Sequence, residues 1–121
     1  MGEVVARARW SPLAVVAVLA IVTAHPLCNV VFRCGCSWFS TAHCNLHASM
    51  GPRCPWCTVP WTFVAAGALW MLGAAAGLLV ARRLSSRWVV AMAAALVGFA
   101  LGVALSGALT VWLTGYPRLF V

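Results

Sequence analysis

The chain has 121 residues, of which 64% are hydrophobic and 7% charged, with a formal net charge of +7. An ordinary soluble domain is about 25% charged, and eight arginines, one acid (Glu3) and no lysine cannot cover a soluble surface of this size. A soluble domain is therefore excluded. So is a nucleic-acid surface, because the arginines fall at or between the ends of apolar runs and nowhere alternate with aromatics. The composition predicts an all-α integral membrane protein.

Residues 1–9 form a basic N-terminus carrying Arg7 and Arg9. Residues 10–32 are the first apolar stretch, read as a signal-anchor-like transmembrane helix. Residues 1–24 also read as a secretory signal peptide, with an apolar core from Leu13 to Ala24 and small residues in Val22-Thr23-Ala24 before a cleavage point. Cleavage would leave His25 as a new amino terminus. The competing and adopted reading runs the helix through His25-Pro26, with a kink there, to Phe32.

Residues 33–60 form a Cys/His-rich loop. Residues 61–82 are the second apolar stretch; Trp61 to Ala81 is 21 residues without a charge, and a helix of that length spans about 31 Å, the thickness of a hydrocarbon core. Residues 83–87 are a short turn. Residues 88–114 form a third apolar stretch, again uncharged, and residues 115–121 a short C-terminus. The second and third stretches are predicted to form an antiparallel helical hairpin. Gly73 and Gly77 make a GxxxG, and Gly98, Gly102 and Ser106 continue the four-residue spacing. Counted from the turn, Gly73 and Gly98 lie at similar depth. Small residues at this spacing let backbones approach closely in lipid; packing within the chain is preferred, with a homo-oligomer or other membrane subunits as further partners.

Arg7, Arg9, Arg82, Arg83 and Arg87 lie on one side of the predicted membrane, and Arg33, Arg53 and Arg118 on the other. Basic residues favour the cytoplasm. The expected orientation in the cytoplasmic (inner) membrane therefore has the N-terminus inside and the Cys/His loop outside. Trp10, Trp56, Trp61, Trp88 and Trp112 sit near the predicted boundaries, as an aromatic belt requires, and Trp70 is a mid-helix packing residue.

All six cysteines and all three histidines lie between His25 and Cys57. The loop contains Cys54-Pro55-Trp56-Cys57, a CxxC just before the second helix. It contains His43 and His47, four apart and so on one face if helical, and Cys34-Gly35-Cys36, a CxC. A CxxC brings two thiolates to one ion, and the order His43, His47, Cys54, Cys57 has the spacings of a tetrahedral site of two histidines and two cysteines. Cys34 and Cys36 are alternative ligands. With Cys54 and Cys57 they would make a thiolate-rich set suited to copper(I) or an iron–sulfur cluster. The expected cofactor is a transition-metal ion, zinc or copper first. Calcium and magnesium are disfavoured by the lack of carboxylates.

Two other readings compete. Cys54 and Cys57 form a candidate redox pair, placed at the outer end of a membrane helix. In that position alone it resembles the active disulfide of quinone-linked membrane thiol oxidoreductases, which usually have at least four membrane helices against the three expected here. Alternatively, six cysteines can form three ordinary disulfides in an oxidising compartment, in any of 15 pairings; this accounts less well for the histidines among them. A mixture is a further reading, with the metal on His43, His47, Cys54 and Cys57 and with Cys28, Cys34, Cys36 and Cys44 as disulfide candidates. Other chemistry is thin. Glu3 is the only acid, so Ser37, Ser40 and Ser49 have no acid to orient a catalytic base. The second and third helices lack an ionisable residue for an ion path. The sequence thus predicts a small metal-handling protein or accessory subunit of a membrane complex.

Overall fold

The structure, a computed structural model, describes residues 2–37, 39–40, 42, 44–47 and 49–117, with the side chains of residues 2–10 and Leu46 set aside. The described residues form four α-helices and no strand: α1 (Gly2–Phe32), α2 (Pro55–Thr58), α3 (Pro60–Leu84) and α4 (Trp88–Thr114), with a 3-10 turn at Asn45–His47. Three segments are long and apolar enough to cross a membrane. They are Ser11–Phe32 (22 residues), Pro60–Leu84 (25 residues) and Trp88–Thr114 (27 residues), against the roughly 20 that a span needs. The basic N-terminal residues continue α1 rather than preceding it, and α1 carries Pro12 and Pro26 in its interior.

Prolines set the breaks nearer the loop. Pro55 and Pro60 open α2 and α3 at positions where the missing N–H costs nothing. Val59, directly before Pro60, is forced out of the helical region (φ −125°, ψ 93°), so α2 and α3 cannot merge. At its other end, α3 closes with Arg82 and Arg83 in the last turn, where positive charge complements the helix dipole.

The α3–α4 hairpin packs through its glycines. A Cβ on Gly73 would collide with the Gly98 carbonyl, one on Gly98 with the Gly73 carbonyl, and one on Gly77 with the Ala94 carbonyl. On Gly102 it would lie 2.6 Å from the Leu69 oxygen. The two backbones approach closer than any side chain permits, so these glycines are used inside the chain. α1 lies against both helices, its Val16 buried with Ala74, Leu78 and Ala95. At the end bearing the α3–α4 turn, the Trp88 indole N–H donates to Ser11 Oγ at 3.1 Å.

A column of aromatic rings fills the opposite end. Phe32 meets Trp56 edge-on at 4.7 Å between centroids and Tyr116 at 5.3 Å. Trp56 meets Trp70 at 5.4 Å, and Trp70 meets Phe99 at 5.9 Å. Each buried indole has an acceptor on α4: Trp56 donates to Thr110 Oγ1 at 3.0 Å and Trp70 to Ser106 Oγ at 2.8 Å. Trp70 is thus a core residue, as expected. Trp56 corrects the belt assignment: it is 3% exposed, whereas Trp61, Trp88 and Trp112 are 67%, 53% and 79% exposed. Pro55 starts a helix one turn early and turns the Trp56 ring inward beneath the loop. The outward faces carry Ile21, Val64, Leu72, Val89 and Leu101, an apolar surface matched to hydrocarbon rather than water.

Candidate metal centre

The cysteines are assembled by chain reversals. Cys28 sits one turn before the end of α1. The helix closes with the Arg33 N–H on the Asn29 carbonyl at 2.7 Å, and Arg33 itself takes the left-handed conformation (φ 49°). Gly35 follows, also left-handed (φ 77°), its N–H donating to Asn29 Oδ1 at 2.9 Å. This hook folds Cys34 back over Cys28, with their Sγ atoms 3.3 Å apart.

Cys54 and Cys57 arrive from α2. Cys54 is its N-cap, and the N–H groups of Cys57 and Thr58 bond to the Cys54 carbonyl at 3.1 and 3.0 Å. One turn of helix therefore sets both sulfurs on the same side. Cys54 Sγ lies 3.2 Å and Cys57 Sγ 3.5 Å from Cys28 Sγ.

Asn45 ties these pieces together. Its N–H donates to the Cys34 carbonyl at 2.7 Å. Its Oδ1 accepts from the Cys54 N–H at 2.9 Å. Its Nδ2 donates to the Pro52 carbonyl at 3.3 Å and to the Tyr116 hydroxyl at 2.8 Å. Tyr116 in turn donates to the Phe32 carbonyl at 3.2 Å. Gly115, left-handed at φ 66°, ends α4 and delivers Tyr116 to this position.

Four free thiols result: Cys28, Cys34 and Cys54, all buried, and Cys57, half-buried. Their sulfurs lie within 4.8 Å of one another, a group that can hold a metal ion. A tetrahedron with metal–sulfur bonds of about 2.3 Å has edges of about 3.8 Å, so the contacts of 3.2–3.5 Å around Cys28 need only a small expansion to admit one ion. Cys36 and Cys44 are joined in a disulfide. Its Cys36 sulfur lies 3.3 Å from Cys57 Sγ. Cys34, Cys36, Cys44 and Cys57 form a second group within the same 4.8 Å limit.

Electrostatics favour a thiolate at Cys34. Hydrogen bonding from Cys28, then from Cys54 and Cys57, holds its thiol far below the ordinary range, with the Cys36 backbone N–H adding to the effect and burial opposing it. Cys54 is pushed the other way: the hydrogen bond with Cys28 lowers it, but hydrogen bonds with Cys34 and Cys57, together with burial, outweigh this. A sulfur set of this kind releases protons when a cation binds.

A cleft of about 580 Å³ reaches the sulfurs from the side, between α1 and α3. His25, His47, Trp56 and Phe63 line it, with Cys28, Cys36, Cys44 and Cys57 on its inner wall. Cys34 and Cys54 do not face it and are 1% and 0% exposed.

Of the sequence-predicted ligands, Cys54 and Cys57 lie in the free-thiol group, and Cys34 joins them. Cys36 is in the disulfide with Cys44. His47 lines the cleft and belongs to neither sulfur group among the described residues; His43 lies outside the described residues. Of the four disulfide candidates, Cys36 and Cys44 are paired, whereas Cys28 and Cys34 are free thiols. Sequence reasoning did not single out Cys28 as a ligand, or Asn45 and Tyr116 as its supports. The available signals were Asn29, a residue suited to capping a reversal, between Cys28 and Cys34, and Gly35, whose conformational freedom permits a tight turn. No protein-family model matches the chain, and no curated protein or solved structure matches it either.

Proposed function

We propose that this is a small membrane protein that binds one transition-metal ion, zinc(II) in first place, through Cys28, Cys34, Cys54 and Cys57. The observation that carries the reading is the convergence of four free thiols, three of them buried, from the end of α1, the following hook and α2. Four thiolates are a soft donor set, and their spacing suits a single tetrahedral ion rather than a cage of several irons and sulfides, which would hold the protein sulfurs apart. Copper(I) is the competing ion. The arginine distribution supports an orientation with the N-terminus in the cytoplasm and the centre at the outer face. A centre closed on four protein ligands leaves no position for substrate, and this favours a metal-handling or accessory role over catalysis.

The deciding experiment is metal analysis of detergent-purified protein by inductively coupled plasma mass spectrometry, followed by cobalt(II) substitution. About one zinc per chain, and intense thiolate-to-cobalt charge-transfer bands, are expected. Metal-free protein that takes up neither ion sinks the proposal.

A second reading has its own support. Cys57 Sγ lies 3.3 Å from Cys36 Sγ in the Cys36–Cys44 disulfide. Attack by the Cys57 thiolate on Cys36 would form Cys36–Cys57 and release Cys44 as thiolate, the step of a membrane thiol–disulfide oxidoreductase. Trapping of a Cys36–Cys57 species by rapid acid quench and peptide mapping would favour it. A constant Cys36–Cys44 pairing would leave the metal reading alone.

A further inference from the structure

The two sulfur groups are not independent. Cys28, Cys34, Cys54 and Cys57 make the first, and Cys34, Cys36, Cys44 and Cys57 the second. They share Cys34 and Cys57. Two tetrahedra that share an edge are the arrangement of a two-metal, six-thiolate cluster, in which two sulfurs bridge both ions and each ion has two terminal sulfurs of its own. We infer that reduction of the Cys36–Cys44 disulfide opens a second metal site, so that six cysteines hold two divalent ions with Cys34 and Cys57 bridging. Cys28 and Cys54 are then terminal on the inner ion, and Cys36 and Cys44 on the outer ion. The inference rests on the metal-binding reading above and extends it to a second ion controlled by redox state.

Three observations carry it. The first is the shared edge itself, which three separate disulfides or a single mononuclear site would not require. The second is position. Both terminal sulfurs of the outer ion, Cys36 and Cys44, line the cleft, whereas of the inner ion's terminal sulfurs Cys28 lines it and Cys54 does not. The outer ion therefore faces the opening more fully than the inner ion, which makes the outer ion the more readily exchanged one. The third is charge. One divalent ion on four thiolates carries a net charge of about −2, and two divalent ions on six thiolates also carry about −2. Adding the second ion to this half-dry site introduces no further net charge, which a mostly buried location would otherwise resist.

The chemistry balances. A phosphine or dithiol reductant supplies two electrons, the Cys36–Cys44 bond breaks, and two protons from water convert the sulfurs to thiols. The second divalent ion then displaces those two protons and takes Cys36 and Cys44 as thiolates, while Cys34 and Cys57 each share a second lone pair. Under oxidising conditions the disulfide re-forms with loss of two electrons to an oxidant such as a disulfide, and the outer ion leaves. The outer site thus couples thiol redox state to metal release.

The test uses the full chain in detergent, loaded with excess zinc with and without a phosphine reductant, then freed of unbound ion by gel filtration. Zinc per chain is measured together with the number of cysteines alkylated after unfolding in chelator. The expected result is about one zinc and four alkylated cysteines without reductant, and about two zinc and six with it. In Cys36→Ser/Cys44→Ser protein, whose helical circular dichroism serves as the folding control, one zinc is expected under both conditions. One zinc in reduced wild-type protein with six free thiols overturns the inference but leaves the mononuclear reading intact. No zinc in either state overturns both. Two zinc in the reduced double variant also overturns it, because the second ion then sits elsewhere. Cadmium-113 resonance spectra of the reduced, loaded protein give an independent check: β-protons of Cys34 and Cys57 correlating with both cadmium signals are expected, and correlation with only one refutes bridging.

Discussion

Asn45 and Tyr116, 71 residues apart in the chain, are joined by a 2.8 Å hydrogen bond beside the sulfur centre. Asn45 also holds the backbone of Cys34 and of Cys54, and Tyr116 also holds the end of α1. Two residues without sulfur therefore fix the relative position of three of the four thiols.

Tyr116→Phe is expected to leave the ring packed edge-on against Phe32 and remove only the hydroxyl. The Asn45 amide loses a partner, at a cost of about 1–3 kcal/mol, and zinc affinity falls by about 10–100-fold, as for other residues that orient metal ligands. Competition against a fluorescent zinc chelator measures this. Unchanged affinity would show that the centre is held by its own loop alone.

Cys28→Ser and Cys54→Ser are each expected to reduce zinc content from about one per chain to a small residue, because each removes one of four ligands. His43→Ala/His47→Ala is expected to retain about one zinc. Metal lost on removal of the histidines but kept on removal of Cys28 would instead favour the site of two histidines and two cysteines. The same purified preparations and the same metal assay serve for all three variants.

Zinc binding is expected to weaken as pH falls. The metal-free protein gains protons on its thiols in acid, and the ion must displace them. Cys34 is held below the usual thiol range, so at neutral pH it is already ionised and contributes no proton. Binding should therefore release fewer than four protons, about three per zinc. Proton release to a weakly buffered indicator dye, measured at pH 7, tests the sign and the count; four protons would mean that Cys34 is an ordinary thiol.

Gly98→Leu is expected to destabilise the hairpin by about 3 kcal/mol or more, beyond ordinary overpacking. The obstacle is the Gly73 carbonyl, a backbone group that cannot rotate aside. Gly67→Leu, a site with nothing within 4 Å of an added Cβ, serves as the control. Thermal unfolding in detergent distinguishes the two, and equal melting temperatures would refute the close approach.

Much of the helical framework was legible because it depends on simple periodicities. Uncharged apolar runs of 20 or more residues mark α3 and α4, and the equal depth of Gly73 and Gly98 from the arginine turn anticipates their contact. The sulfur centre was less legible. Its geometry depends on Arg33 taking a left-handed conformation that a non-glycine residue adopts at a cost of roughly 1–2 kcal/mol, so Asn29 and Gly35 mark a turn in the sequence but not the hook at Arg33 that brings Cys34 to Cys28. Trp56 was misread for a related reason. Position near a boundary suits a belt residue, but the break between Pro55 and Pro60 decides which way the ring points. The spacing that made His43 and His47 a ligand pair is that of a helix; His43 lies outside the described residues, and Asn45–His47 forms a 3-10 turn.

The position of Tyr116 bears on how the protein is made. A chain grows from its N-terminus, so Cys28 is synthesised first among the ligands and Cys57 last. The tyrosine that braces them comes later still, after α4 has been completed. Until the ribosome has finished all three long helices and they have come together, the thiols exist without the clamp that sets their spacing. Metal capture in the finished geometry thereby becomes a late event of biogenesis, and a chain stalled before α4 is left with its thiols unclamped.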